Sequence, residues 1–287
     1  MPMSQKIRNL VYTCPVDHLG TSVFVKGWIS GETPQQSVIL VHDLGETAED
    51  FDGMATKLVN SGFNVYSFDQ RGHGQSGRRL GHIPSFRQLS LDLLQVAAWV
   101  RHQENTKPFI IGQGMGALVA MFFTKSYAKF CQGVVLASPL VGTIKPVRPF
   151  HRLILRSLAD FFPTFILPNF LCPVFTSGKQ KKGKPVALVG ALLANELLVA
   201  ISQARKLLMR QQTPTLLICA NNDTVCRYES FKKLLAKQTD KNIFTLQFIE
   251  GETHRLLTED EKNFEQVYDT LTSWLRRFNE QDIIADT

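Results

Sequence analysis

The chain has 287 residues, of which 44% are hydrophobic and 20% charged, with a net charge of +7, a composition ordinary for a globular protein with one large core. Its 5 cysteines are scattered and show no paired CxxC spacing, which argues against a disulfide framework or a zinc site and favours a reducing compartment. Since the sequence has neither the apolar run of a signal peptide nor a stretch of roughly 20 apolar residues, we expect a cytoplasmic protein.

Short apolar, β-branched runs alternate with longer segments of helical spacing, which is typical of a mostly parallel sheet covered by helices. The predicted strands are 10–12, 22–28, 37–42, 64–69, 108–112, 133–138, 215–220 and 244–249. The predicted helices are 48–60, 86–103, 115–127 and 263–278, with one more between the last two strands. The first two strands are expected to form an antiparallel edge of this α/β fold.

The alternation stops after the sixth predicted strand. Residues 140–210 show no clear strand and carry helical segments rich in Phe, Leu and basic residues, with a low-complexity stretch at 178–184 that predicts a solvated loop. In a sheet of this kind, a helical insertion at this point lies over the active site. We therefore predict one core formed by 1–139 and 211–287, with a helical cap at 140–210.

The positive charge is concentrated in this predicted cap. Between residues 140 and 185 one acid, Asp160, stands against eight basic residues, so the segment alone accounts for the +7 of the chain. The basic residues are Lys145, Arg148, Arg152, Arg156, Lys179, Lys181, Lys182 and Lys184. A nucleic-acid-binding function explains this positive charge poorly, because the basic residues alternate with Phe and Leu.

Two interpretations of the cap remain open. The apolar residues are Phe150, Leu153, Ile154, Leu158, Phe161, Phe162, Phe165, Ile166 and Leu167. They either pack a cap helix onto the domain beneath a solvated basic face, or they insert into the headgroup region of a membrane whose anionic lipids attract the basic side chains. For the second interpretation, the residues predicted to face the lipid are Arg148, Arg152, Arg156, Phe161 and Phe162.

A turn between a predicted strand and helix carries the first catalytic signal. Residues 110–120 read IIGQGMGALVA, with glycines at Gly112, Gly114 and Gly116. A nucleophile elbow, G-x-S-x-G, requires such small flanking residues, and here every position matches except the nucleophile, which is Gly114. A dinucleotide-binding loop of the form G-x-G-x-x-A is the alternative, but such a loop normally follows the first strand and this one follows about four.

Two other segments favour the elbow. Asp223 follows the strand 215–220, and His254 lies in a loop after the next strand, which gives the order nucleophile, acid, histidine found in α/β-hydrolases. A loop aspartate and a surface histidine are the alternatives for each residue taken alone. The sequence His42-Asp43-Leu44-Gly45 ends a central strand, where backbone N–H groups can form an oxyanion hole.

Four segments carry a specific family resemblance: VHDLGETAEDF, FDQRGHGQSGRR, IIGQGMGALVA and FIEGETHRLLTED. They resemble the monoacylglycerol lipase and lysophospholipase group of the α/β-hydrolases, over about residues 12 to 278. The resemblance implies hydrolysis of esters of single-chain lipids without metal or cofactor. It further implies that Asp223 and His254 are acid and base, that the N–H groups of Leu44 and Met115 form the oxyanion hole, and that Gly114 stands in place of serine.

Two departures from the family pattern bear on activity. Asp43 stands where the family usually has glycine, which puts a carboxylate beside the oxyanion hole. Gly114 has no hydroxyl, and by analogy the loss of a nucleophile costs on the order of 10⁶ in turnover. We favour a serine esterase inactivated by one change, in which Gly114→Ser should restore activity. The alternative is a natural pseudo-hydrolase that binds lipids or partners without cleaving them.

Overall fold

The structure is a computed structural model that describes residues 7–30, 36–76, 79–141, 148–168, 188–223, 225–226, 229, 231, 243–251, 254–258 and 263–285. Several predictions fall outside these residues. They are the solvated loop at 178–184, most of the helix between the last two strands, and the side chains of Lys145, Lys179, Lys181, Lys182 and Lys184.

Within the described residues, eight strands form one sheet in the order β1-β2-β4-β3-β5-β6-β7-β8. The strands are β1 Arg8–Pro15, β2 Ser22–Ile29, β3 Gln36–Val41, β4 Phe63–Phe68, β5 Phe109–Gln113, β6 Val134–Ala137, β7 Thr215–Ala220 and β8 Phe244–Ile249. β1 and β2 are antiparallel, β2 pairs antiparallel with β4, and the pairs from β4 to β8 are parallel. This arrangement confirms the predicted α/β-hydrolase fold with its antiparallel edge.

Helices cover the sheet. They are α1 Asp52–Asn60, α2 Phe86–Glu104, α3 Met115–Tyr127, α4 Pro149–Phe161, α5 Ala191–Met209 and α6 Phe264–Ala285. The predicted helix 48–60 is divided, because a single 3-10 turn at Ala48–Phe51 precedes α1 and is closed by a capping box between Thr47 and Asp50. The central strands β3 to β7 are buried on both faces, as short apolar runs in a parallel sheet should be.

The segment between β6 and β7 supplies two of these helices. α4 packs against α5, and α5 packs against both α2 and α3, so that its buried residues join the same apolar cluster as those of α3. The division into core and cap remains a prediction. None of the helices, as far as the chain is described, is long and apolar enough to cross a bilayer.

The parallel strands bring four loops to one edge of the sheet, because their carboxyl ends point the same way. The loop after β3 contains Asp43, the turn after β5 contains Gly114, the loop after β7 contains Asp223, and the loop after β8 contains His254. The candidate site lies where these loops meet.

Candidate active site

The turn between β5 and α3 has the backbone of a nucleophile elbow. Gly114 adopts φ +54° and ψ −113°, a left-handed conformation that strains any residue with a Cβ by roughly 1–3 kcal/mol. Its N–H donates to the carbonyl of Ala137 on β6 at 3.0 Å, and α3 starts at the next residue. The elbow is therefore formed although no side chain projects from its tip.

Asp223 and His254 are in direct contact. The Oδ2 atom of Asp223 lies 2.8 Å from Nδ1 of His254. Oδ1 of Asp223 accepts the N–H groups of Val225 at 2.7 Å and Cys226 at 3.0 Å, so the carboxylate is held from its other side. Both residues are buried. The pair predicted from chain order is thus brought together, with Nε2 of the imidazole directed away from Asp223.

Asp43 lies inside the predicted oxyanion hole. Its Oδ1 accepts the N–H of Leu44 and the N–H of Met115, both at 2.7 Å, which are the two donors that the family resemblance assigns to the hole. Its Oδ2 lies 3.6 Å from Nε2 of His254. The expectation that this carboxylate lies beside the hole is therefore corrected, because it fills the hole.

The missing side chain at position 114 makes room for this carboxylate. A Cβ atom at Gly114 would lie 2.2 Å from Cγ and Oδ1 of Asp43 and 2.4 Å from Oδ2, far inside van der Waals contact. A serine at this position therefore requires Asp43 to leave both N–H donors. The effect of Gly114→Ser therefore depends on where the Asp43 carboxylate moves, and restoration of activity by this change stays a prediction.

Glu46 is a site residue that the sequence analysis missed. Its carboxylate accepts the N–H of Asp43 at 3.0 Å and the amide of Gln113 at 3.0 and 3.1 Å, and it lies 3.2 Å from Nε of Arg255. Gln113 in turn accepts the N–H of Leu257 at 2.8 Å. These contacts join the loop after β3, the elbow strand and the histidine loop. The only signal in the sequence was an acidic residue in the loop that follows a buried strand.

Electrostatics in the site favour a charged imidazole. Burial opposes the charge on His254, but the Cys226 thiol and the Asp223 and Asp43 carboxylates outweigh it and raise its pKa well above the ordinary value. Burial also raises the pKa of the Cys226 thiol, to about 11, so this thiol is neutral at pH 7. With the thiol neutral, the groups that favour the charged imidazole are the Asp223 and Asp43 carboxylates, one facing each ring nitrogen.

Burial likewise raises the pKa of Glu46, to about 7, with the nearby Asp43 carboxylate acting in the same direction. Among the described residues, Asp223, Cys226 and His254 have ligand atoms within 4.8 Å of one another. Asp223 and His254 are hydrogen-bonded to each other, and we assign no metal to this cluster. The site consists of an imidazole between two carboxylates, with a third carboxyl group behind it.

The cap residues predicted to face lipid are exposed. Phe161 retains 78% of its surface and Phe162 62%, and Arg148, Arg152 and Arg156 are also exposed. Further exposed apolar residues are Phe150, Leu153, Ile154, Phe165 and Ile166. α4 itself buries only Leu155 and Ala159. The apolar stripe is therefore largely unburied, which disfavours the interpretation that it packs onto the domain.

The fold and the four meeting loops define an α/β-hydrolase. The chain belongs to the family described as serine aminopeptidase S33, whose pattern matches residues 32–261. It is 25% identical over 289 residues to human monoglyceride lipase, covering 96% of this chain and 92% of that enzyme.

Two further comparisons, one of sequence and one of structure, also find similar proteins. The chain is 25% identical over 270 residues to an uncharacterized abhydrolase domain-containing protein of Dictyostelium discoideum; the match covers 87% of this chain but only 28% of that longer protein. Among solved structures, the monoacylglycerol lipase of Paleococcus ferrophilus has a TM-score of 0.73 at 24% identity, with 88% of this chain and 98% of the other covered. This last likeness concerns the fold.

Proposed function

We propose that this chain binds a single-chain lipid ester, such as a monoacylglycerol or a lysophospholipid, and does not hydrolyse it through an acyl-serine. The lipid class rests on the family and on the names of the relatives. The absence of acyl-serine chemistry rests on one observation, the carboxylate of Asp43 in contact with the N–H groups of Leu44 and Met115 beside Gly114.

Two requirements of ester hydrolysis are missing at once. Gly114 supplies no hydroxyl to attack the ester carbonyl, and the N–H groups that would stabilise the resulting oxyanion already bind Asp43. A second negative charge at that place would be repelled by the first. A lipid ester bound at this site would therefore lack both of the groups that cleave it.

The same observation favours a natural pseudo-hydrolase over an esterase inactivated at one residue. A single exchange of serine for glycine accounts for Gly114 but not for Asp43, whose carboxylate lies in the space that a Cβ at position 114 would take. The two departures from the family pattern are complementary in shape, which is what coupled natural changes would produce.

We further propose that α4 rests on the surface of an anionic membrane. The exposed residues Phe150, Leu153, Ile154 and Phe161 follow the spacing of one helical face, opposite the buried Leu155 and Ala159. Arg152 and Arg156 are exposed on the same helix and Arg148 is exposed at its N-terminal cap, which suits a negatively charged lipid surface. Because the scattered cysteines are typical of a reducing compartment, the proposed location is the cytoplasmic side.

The test is a binding measurement combined with an assay of turnover. The purified chain is incubated with a radiolabelled monoacylglycerol, and bound lipid is separated and analysed for intact ester and free fatty acid. We expect stoichiometric retention of the intact ester. Fatty acid released over many turnovers, or failure to retain any single-chain lipid ester, would overturn the proposal.

A further inference from the structure

The Asp43 carboxylate contacts three polar groups, which is more than filling the space beside Gly114 would require. One carboxylate oxygen, Oδ1, accepts two backbone N–H groups at 2.7 Å, and one of these belongs to the first residue of α3, where the helix dipole favours negative charge. The other oxygen, Oδ2, faces Nε2 of His254 at 3.6 Å. The Asp43 side chain keeps 12% of its surface exposed, against 1% for Asp223, so it is less enclosed than the carboxylate on the other side of His254.

We propose that Asp43 is a nucleophile, whose Oδ2 attacks an electrophilic saturated carbon, carrying an epoxide oxygen or a halide, in a lipid bound at this site. The lipid character of the substrate rests on the function proposed above, whereas the chemistry rests on Asp43, His254 and Asp223 alone. Carboxylates serve as nucleophiles elsewhere by forming an ester that is hydrolysed in a second step.

The position of Asp43 determines which kind of substrate carbon atom its carboxylate can attack. Attack on an ester carbonyl would create an oxyanion on the substrate, and its N–H donors are already bound to Oδ1 of Asp43. Displacement at a saturated carbon creates no such oxyanion, because the electron pair of the broken bond leaves with the epoxide oxygen or the halide. The filled oxyanion hole therefore excludes carbonyl attack by Asp43 and allows displacement at a saturated carbon.

The first step forms an aspartyl ester. Oδ2 of Asp43 bonds to the epoxide carbon, the carbon–oxygen bond of the ring breaks, and the ring oxygen takes a proton from the imidazolium of His254 through water. With a halide substrate, the halide ion leaves instead and the imidazolium proton passes to solvent. Loss of this proton leaves a neutral imidazole able to act as base. Esterification also removes the charge of Asp43, one of the causes that raise the pKa of His254.

The second step hydrolyses this ester. His254 takes a proton from water, and the hydroxide adds to Cγ of Asp43. The oxyanion then forms on Oδ1, which the N–H groups of Leu44 and Met115 already hold. The intermediate expels the product oxygen, which takes the proton from His254. The protonated Asp43 carboxyl returns its proton to His254 or to solvent, so that an epoxide and water give a diol.

A single-turnover experiment in oxygen-18 water tests the proposal, with excess protein and two probes, styrene oxide and 1-bromobutane, whose reaction needs no lipid binding. We expect at least one probe to react and the heavy oxygen to enter the side chain of Asp43, located by fragmentation of the peptide, before it enters the product. In His254→Gln treated with 1-bromobutane, whose halide ion leaves without needing a proton, we expect an ester of Asp43 to accumulate to about one equivalent. Asp43→Asn should show neither signal.

Asp52→Asn is the matched control, since Asp52 is an exposed carboxylate on α1 that pairs with Lys26, and it should leave the labelling of Asp43 unchanged. Heavy oxygen found only in the product, labelling of exposed carboxylates in place of Asp43, or a folded protein inert to both probes would overturn the proposal. Because both probes are small and soluble, a failure here is separate from a failure to retain the monoacylglycerol.

Discussion

The carboxylate of Asp43 occupies the place that a side chain at Gly114 would take. A Cβ atom at position 114 would lie 2.2 Å from Cγ of Asp43, well below any tolerated separation of two carbon atoms. The carboxylate is held there by the N–H groups of Leu44 and Met115. The residues at positions 43 and 114 are therefore coupled, and a change at one alters what the other tolerates.

This coupling predicts that serine-type esterase activity appears only when both positions change. We expect Asp43→Gly and Gly114→Ser each to stay near the background rate on a nitrophenyl ester and a monoacylglycerol. The double variant should exceed the unchanged chain by at least about 10³-fold, because it frees both N–H donors and supplies the hydroxyl. Initial rates of the four proteins, with folding checked by circular dichroism, measure the effect.

His254→Gln in the double variant is the control and should return the rate to background. If Gly114→Ser alone were as active as the double variant, Asp43 would not block the site.

The free energy of unfolding gives a second measurement of the coupling between positions 43 and 114. Gly114→Ser should lower the free energy of unfolding by about 1–3 kcal/mol more when position 43 is Asp than when it is Gly. Only in the protein with Asp43 must the serine displace a carboxylate.

The sequence predicted most of the fold and part of the site. Strands and helices followed from hydrophobic periodicity, and the pairing of Asp223 with His254 followed from their places after neighbouring parallel strands. The location of the Asp43 carboxylate was not predictable in this way, since it depends on the rotamer of one side chain and on space left by a residue 71 positions later. Glu46 was missed because two of its partners, Gln113 and Arg255, come from distant segments.

The pKa of His254 should fall when Asp43 loses its charge. The Asp43 carboxylate is one of the groups that raise this pKa, and Asp43→Asn keeps the shape of the side chain while removing the charge. We expect the imidazole of the variant to lose its proton at a lower pH, measured from the ring carbon and nitrogen shifts of His254 by NMR titration. Asp52→Asn, remote and exposed, should leave the titration unchanged; an unchanged titration in Asp43→Asn would contradict the expectation.

The buried carboxyl of Glu46 should weaken the fold as the pH rises. Its pKa is raised to about 7, above the roughly 4.3 of an unfolded chain, so between these values the folded protein binds more protons than the unfolded one. Stability contributed by this group is therefore present below about pH 4.3 and decreases as the pH rises toward 7. Glu46→Gln removes this dependence.

Urea unfolding of both proteins at several values between pH 4.5 and 8 measures the difference. We expect the stability of Glu46→Gln relative to the unchanged chain to increase across this range and to level off above pH 7. Glu265→Gln, at an exposed carboxylate paired with Lys57, is the control and should show no such increase. A difference that stays constant with pH would mean that Glu46 titrates as in the unfolded chain.

The exposed face of α4 should bind vesicles that contain anionic lipid. We expect sedimentation with phosphatidylglycerol vesicles, weaker sedimentation with pure phosphatidylcholine, and weakening by salt, since each arginine near the surface contributes about 1 kcal/mol. Replacing Arg148, Arg152 and Arg156 by Gln should reduce partitioning by about 100-fold, which is the factor that roughly 3 kcal/mol represents.

Phe161→Ser with Phe162→Ser tests the apolar part of the same surface and should reduce binding to both kinds of vesicle, because burial of these rings contributes independently of charge. The matched control is Val11→Ser with Leu19→Ser, which removes two apolar side chains of 65% and 74% exposure that lie outside the cap. Binding should survive in this control. An equal loss in both pairs would mean that membrane association is a general property of exposed apolar residues and not of α4.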